Sequence, residues 1–122
     1  MGKNSILIVD DDLILLKTAE EILSSIYTVS VAKSGKQAIT LLKKGVVPDL
    51  ILLDIAMPEM DGYQATEMIR NLGDSRAVVP IVAMTANAFE EDRQKALDAG
   101  MNAHVSKPVD MNVLFRVMAK FI

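Results

Sequence analysis

Four short apolar runs, each broken off by a polar residue, restrict what this chain can fold into more than any other feature. Ile6-Leu7-Ile8-Val9 meets Asp10-Asp11-Asp12, and Leu50-Ile51-Leu52-Leu53 meets Asp54. Ile81-Val82-Ala83-Met84 meets Thr85, and a weaker stretch from Ala103 to Ser106 meets Lys107. The runs are continuous rather than alternating, as expected of strands covered on both faces. Stretches of helical spacing lie between them. After the acidic triplet, Leu16, Ala19, Ile22 and Leu23 recur on one face, and Asp12 stands where it would cap that helix.

Tyr27 to Ala32 is rich in β-branched residues and reads as a further strand. Ser34 precedes a helix carrying Ala38, Leu41 and Leu42, with Gly45 as its stop. Ala65, Met68, Ile69 and Leu72 form another stripe, ended by Gly73. Asn87, followed by Glu90, resembles a capping box opening a helix that Gly100 closes. Asp110 would cap a last helix with Leu114, Val117, Met118 and Phe121 facing inward. Rounds of strand then helix with short connections give an α/β three-layer sandwich around a parallel sheet. The polar run-ends then share the carboxyl edge of the sheet, where open α/β sheets place their ligands. Periodicity leaves the strand order open.

The 122 residues fit one domain, 1–122, with chain enough for a hydrophobic core. A net charge of −3 without a Lys/Arg block gives no reason to expect nucleic acid as a partner. Without cysteine there are no disulfides and no thiolate metal sites. The apolar runs are too short to span a bilayer, and Met1-Gly2-Lys3-Asn4 lacks the apolar stretch of a signal peptide. The expected location is cytoplasmic, with no membrane contact by this domain.

Asp10, Asp11 and Asp54 converge if the first and third strands are neighbours. Carboxylates that close repel, and burying them unpaired is costly. A hard divalent cation with oxygen ligands resolves the conflict, and few protein ligands plus waters suits Mg²⁺ better than Ca²⁺. The competing reading is that acidic residues at strand ends merely cap helices or face solvent. That reading is preferred for Asp12 and disfavoured for the other three taken with Lys107. Thr85 alone would read as a strand-end hydroxyl bonded to backbone, and Lys107 alone as a solvated lysine. His104 is the only histidine, and one histidine is a poor metal motif.

Val9-Asp10-Asp11, Leu53-Asp54-Ile55-Ala56-Met57-Pro58-Glu59-Met60-Asp61-Gly62, Met84-Thr85-Ala86 and Lys107-Pro108 together resemble the receiver domains of two-component response regulators. The match runs in order over nearly the whole chain, and its Asp-x-x-Met-Pro-x-Met-Asp-Gly stretch is the specific part. The resemblance implies the flavodoxin-like fold, (βα)5 with strand order 2-1-3-4-5. It implies that Asp54 is the phosphoacceptor, that Asp11, Asp54 and the Ala56 backbone carbonyl ligate Mg²⁺ (or Mn²⁺), and that Asp10 helps hold the metal. Thr85 and Lys107 would contact the phosphoryl group, with Lys107 aimed by a cis bond to Pro108. His104 occupies a position where receivers commonly carry an aromatic, and would turn inward as Thr85 moves. That links the chemistry to the surface of the fourth helix, fifth strand and fifth helix. Ala56 and Asn87 lie where receivers vary and tune hydrolysis of the aspartyl phosphate.

The leading function is therefore a phosphorylation-controlled signalling module rather than a turnover enzyme. A histidine kinase or histidine phosphotransfer domain would donate the phosphoryl group, and an output domain or second copy would read the altered face. An aspartyl-nucleophile phosphatase would need a second Asp where Ala56 stands. A flavin module would need a Ser/Thr/Gly-rich phosphate loop where Asp10-Asp11-Asp12 stands. A phosphorylation-independent, receiver-like interaction module is the remaining alternative. The stretches 83–88 and 98–101 look like receivers attached to hybrid sensor kinases, the expected origin of the chain.

Overall fold

The structure, a computed structural model, describes residues 3–86 and 90–122. Its elements are β1 (Ser5–Val9), α1 (Leu13–Leu23), β2 (Thr28–Ala32), α2 (Gly35–Lys43) and β3 (Leu50–Asp54). They continue with α3 (Gly62–Arg70), a 3-10 turn (Ser75–Val78), β4 (Ile81–Thr85), α4 (Glu90–Ala99), β5 (Ala103–Ser106) and α5 (Met111–Met118). All strand pairs are parallel, in the order β2-β1-β3-β4-β5. Among the described residues no helix is long and apolar enough to cross a membrane.

The continuous apolar runs fill two cores at once. Leu7 and Val9 of β1, Ile51 and Leu53 of β3, and Ile81 and Ala83 of β4 pack with Ala38, Leu42, Ala65 and Ile69 from α2 and α3. Their neighbours Ile6, Ile8, Leu50, Leu52, Val82 and Met84 pack on the other face with Leu16 and Leu23 of α1 and Leu114 and Met118 of α5. The period of two along each strand sends alternate side chains to opposite layers, so an unbroken apolar run is what lets these strands serve both layers.

Caps set the helix starts. Asp12 Oδ1 accepts from the Ile14 and Leu15 N–H groups, and Ser34 Oγ accepts from Gln37 N–H. Asp110 Oδ1 accepts from Asn112 and Val113. All three match the caps expected from sequence. The Asn87 cap and Phe89 lie outside the described residues. Two stripe positions are corrected. Ile22 and Met68 keep helical spacing but lie at the edge of the buried face, and each is exposed. Val117 and Phe121 pack only half-buried against the core that Leu114 and Met118 complete.

Candidate functional site

β1 and β3 are adjacent, with Val9 opposite Leu53, so the residues that follow them meet at the carboxyl edge. One oxygen each of Asp10, Asp11 and Asp54 lies within 4.8 Å of the others. Asp10 and Asp54 are buried and Asp11 is exposed at the mouth. Asp10 is fixed by its own backbone, whose N–H donates to the Ala32 carbonyl at 3.1 Å. Its Oδ1 accepts from Asp12 N–H at 2.9 Å. Asp54 Oδ1 accepts from Ala56 N–H at 3.0 Å, which folds the following loop back over the carboxylate.

β4 and β5 bring the remaining groups. Thr85 pairs in register with Ser106, and the Lys107 N–H donates to the Thr85 carbonyl at 2.7 Å. That bond seats Lys107 beside Thr85, and a cis Lys107–Pro108 peptide follows it. The ammonium lies 2.7 Å from Asp10 Oδ2 and 3.3 Å from Asp54 Oδ1. His104 pairs with Ala83, whose side chain belongs to the α2–α3 layer, so His104 and Thr85 share one sheet face two residues apart. It is half-buried between a cleft of about 250 Å³ bounded by Ala96 and Val117 and one of about 360 Å³ bounded by Pro108 and Val113.

The charges are unequal in cost. Burial pushes the Asp54 carboxyl above its ordinary pKa and the Asp10 charge adds to this, while Ala56 N–H and Lys107 pull the other way. Burial pulls the Lys107 ammonium down, but contact with Asp10 and then Asp54 outweighs it, and its pKa is raised. Asp10 Oδ2 is buried and its charge is met by the Lys107 ammonium at 2.7 Å. Three carboxylates, two of them buried, face the one ammonium of Lys107. This hard, all-oxygen donor set fits a small divalent cation.

The structure brings Asp10, Asp11, Asp54, Thr85 and Lys107 together at the carboxyl edge of the sheet. One supporting residue, Asp61, was not singled out in its role. Asp61 closes a capping box with Gln64 and so starts α3 directly behind the loop. Its Asp-x-x-Gln spacing was the available signal. Gly62 donates its N–H to the Ile55 carbonyl, and a Cβ on it would fall 2.6 Å from the Asp54 carbonyl oxygen and from Ile55 Cα. Only glycine lets α3 approach the strand end this closely.

A parallel sheet in this order with an acidic carboxyl edge, a strand-end threonine and a cis-linked lysine defines the receiver class. The chain belongs to the response regulator receiver domain family, whose model matches residues 6–119. Over 117 residues it is 39% identical to the sensor histidine kinase RcsC of Salmonella typhimurium, an alignment covering 95% of this chain but 12% of that protein. Among solved structures it is similar to the receiver domain of the Pseudomonas aeruginosa sensor histidine kinase PA1611, which holds magnesium in its active-site cleft. The TM-score is 0.86 at 36% identity, over 98% of each chain. It also resembles, at TM-score 0.87 and 30% identity over 98% of this chain and 89% of that one, a chain of the Saccharomyces cerevisiae complex between the phosphotransfer protein Ypd1 and the Ssk1 receiver domain.

Proposed function

We propose that this receiver accepts a phosphoryl group from a phosphohistidine onto Asp54, with Mg²⁺ held by Asp11, Asp54 and the Ala56 carbonyl and assisted by Asp10. The observation that carries the reading is the convergence of a buried, destabilised carboxylate with Lys107 and two further carboxylates at one strand edge. An Asp54 oxygen attacks phosphorus as the P–N bond to the imidazole breaks, and the bond pair leaves with the donor. Little covalent work is asked of the protein, since phosphoryl transfer depends on position and charge. Mg²⁺, when bound, offsets the negative charge of the carboxylates and the incoming phosphoryl oxygens. Lys107 Nζ lies 3.3 Å from Asp54 Oδ1 and can turn from Asp10 to the new phosphoryl oxygens. Ala56 is exposed beside the nucleophile and offers no general acid, which weighs against a phosphatase.

The donor, a histidine kinase or histidine phosphotransfer domain, has an apolar landing place next to the pocket. Leu13 and Ile14, the first residues of α1 after Asp12, are 63% and 78% exposed. The likeness to the Ssk1 complex supports a donor of that type. Once phosphorylated, Thr85 moves toward the phosphoryl group and His104 follows on the same sheet face. The α4–β5–α5 surface is then altered for an output domain or a second copy. The module works in the cytoplasm and assists its own phosphorylation and dephosphorylation without acting on a further substrate. Whether it is one module of a larger sensor kinase, as the RcsC similarity favours, is part of the same proposal.

Intact-protein mass after incubation with acetyl phosphate tests the chemistry. The expected result is a gain of one phosphoryl group that needs Mg²⁺ and is absent in Asp54→Ala. An adduct that survives in Asp54→Ala, or forms equally in chelator, overturns the assignment.

A further inference from the structure

We propose that Arg70 is a positioning residue of the switch, pinning the C-terminal end of α4 so that this end is the pivot about which the helix tilts. The proposal rests on the receiver reading above and adds where the movement is stopped. α4 is poorly seated by apolar contact. Among its described side chains only Ala96 and Ala99 are buried, and Leu97 is 57% exposed. Every other helix buries larger groups: Leu16 and Leu23 in α1, Ile39 and Leu42 in α2, Ile69 in α3, Leu114 and Met118 in α5. Apolar packing is what ordinarily holds a helix this short in place.

Arg70 supplies a hold of another kind, at one end only. Its Nε and one terminal nitrogen donate to the Gly100 carbonyl at 2.9 and 2.7 Å. The other terminal nitrogen donates to the Ala77 and Val79 carbonyls at 3.0 and 2.6 Å. A fifth bond reaches Asn102 Oδ1 at 2.8 Å. All the N–H donors of the guanidinium are thereby used, and no carboxylate is among the partners. The cation sits just past the C-terminus of α4, where it complements the helix dipole. Asn102 extends the hold to the sheet, since its Oδ1 also accepts from Ile81 N–H and its own N–H donates to the Ile81 carbonyl. Gly100 is shaped to the same contact. Its φ is +104°, and a Cβ there would stand 3.1 Å from Arg70 Cγ.

The other end of α4 lies at the carboxyl edge of the sheet, shortly after Thr85. A helix of this length is about 15 Å long, so a tilt about Gly100 displaces the Thr85 end most and the α3 end least. Arg70 thus makes the pull of Thr85 a rotation rather than a slide. Lysine, with one compact ammonium, cannot reproduce the fork.

Amide hydrogen exchange on wild type, Arg70→Lys and Gly100→Ala, each with and without beryllofluoride and Mg²⁺, decides this. In wild type, beryllofluoride is expected to change protection in the first turns of α4 and to leave Gly100 to Asn102 unchanged. In both variants, exchange from Ala99 to Asn102 rises about tenfold before any ligand is added. Their beryllofluoride-induced NMR shifts shrink at His104 and Leu97 while those at Asp54 and Lys107 persist, a split that mere loss of stability does not produce. Equal changes along the whole of α4 in wild type, or variants that behave as wild type, overturn the pivot. Absence of any response at Asp54 in wild type overturns the receiver reading, and the pivot with it. A normal Asp54 response in wild type, with protection changing as much at Gly100 to Asn102 as in the first turns of α4, overturns the pivot alone.

Discussion

The Asp54 carboxylate is 2% exposed beside Asp10, and burial raises its pKa above the ordinary 3.8. A raised carboxyl pKa means that the folded state holds the proton more tightly than the unfolded chain. The ionised group therefore weighs against folding at neutral pH, and that penalty is relieved as the pH falls through the raised value. Asp54→Asn keeps an oxygen for Ala56 N–H and removes the charge. It is expected to stabilise the metal-free domain by about 1–3 kcal/mol at pH 7, read from the urea midpoint, while abolishing phosphorylation. A midpoint lowered by that substitution would show that the Lys107 contact outweighs the desolvation. Lys107 has the opposite sign. Its raised pKa gives a contribution that is full below 10.5 and lost as the pH climbs through the folded value, so alkaline titration should weaken wild type more than Lys107→Met. Residue identities and spacing made this cluster legible. The raised pKa of Asp54 was not, because it arises chiefly from burial, which has no signal in the sequence.

At the scale of elements, two devices fix where the loop from β3 to α3 ends, the Asp61 capping box and the glycine behind it. Gly62→Ala forces a methyl group to within 2.6 Å of backbone on both the Asp54 and Ile55 residues. Overpacking of this kind costs about 1–3 kcal/mol. Because the displaced atoms are backbone of the loop proposed to hold Mg²⁺, affinity for the ion should fall as well, measured by calorimetry on protein that still melts cooperatively. Asp61→Ala, by contrast, loses only a cap, about 1 kcal/mol, and should leave Mg²⁺ affinity nearly unchanged. Strands were legible as short continuous apolar runs and helices by their spacing. Ile22 and Met68 were misplaced because helical spacing marks a stripe but not how far the neighbouring layer extends. The 3-10 turn at Ser75–Val78 and the Arg70 fork went unread for a related reason. Arg70 bonds a backbone carbonyl 30 positions away and the Asn102 side chain 32 positions away, and no local pattern announces partners at those distances.

For the whole molecule, the order of strands is the property that makes the site, and periodicity is blind to it. Which residues face inward follows from spacing, but that β1 lies beside β3, bringing Asp10 to Asp54, came only with the receiver resemblance. The same order concentrates negative charge at one edge of a domain whose net charge is already −3. A cation bound there by the folded state alone must stabilise the entire fold, by about 2.7 kcal/mol when its free concentration is a hundred times its dissociation constant. Mg²⁺ should accordingly raise the melting temperature of wild type, and Asp11→Asn should abolish most of the rise, since Asp11 is exposed and contributes little to folding itself. The increment must also vanish in acid, because carboxyls bind metal only when ionised and the raised pKa of Asp54 brings its protonation to a higher pH than that of an ordinary Asp. A Mg²⁺ increment that persisted undiminished at pH 4, or survived in Asp11→Asn, would place the ion elsewhere on the surface and remove the carboxyl edge as the metal site.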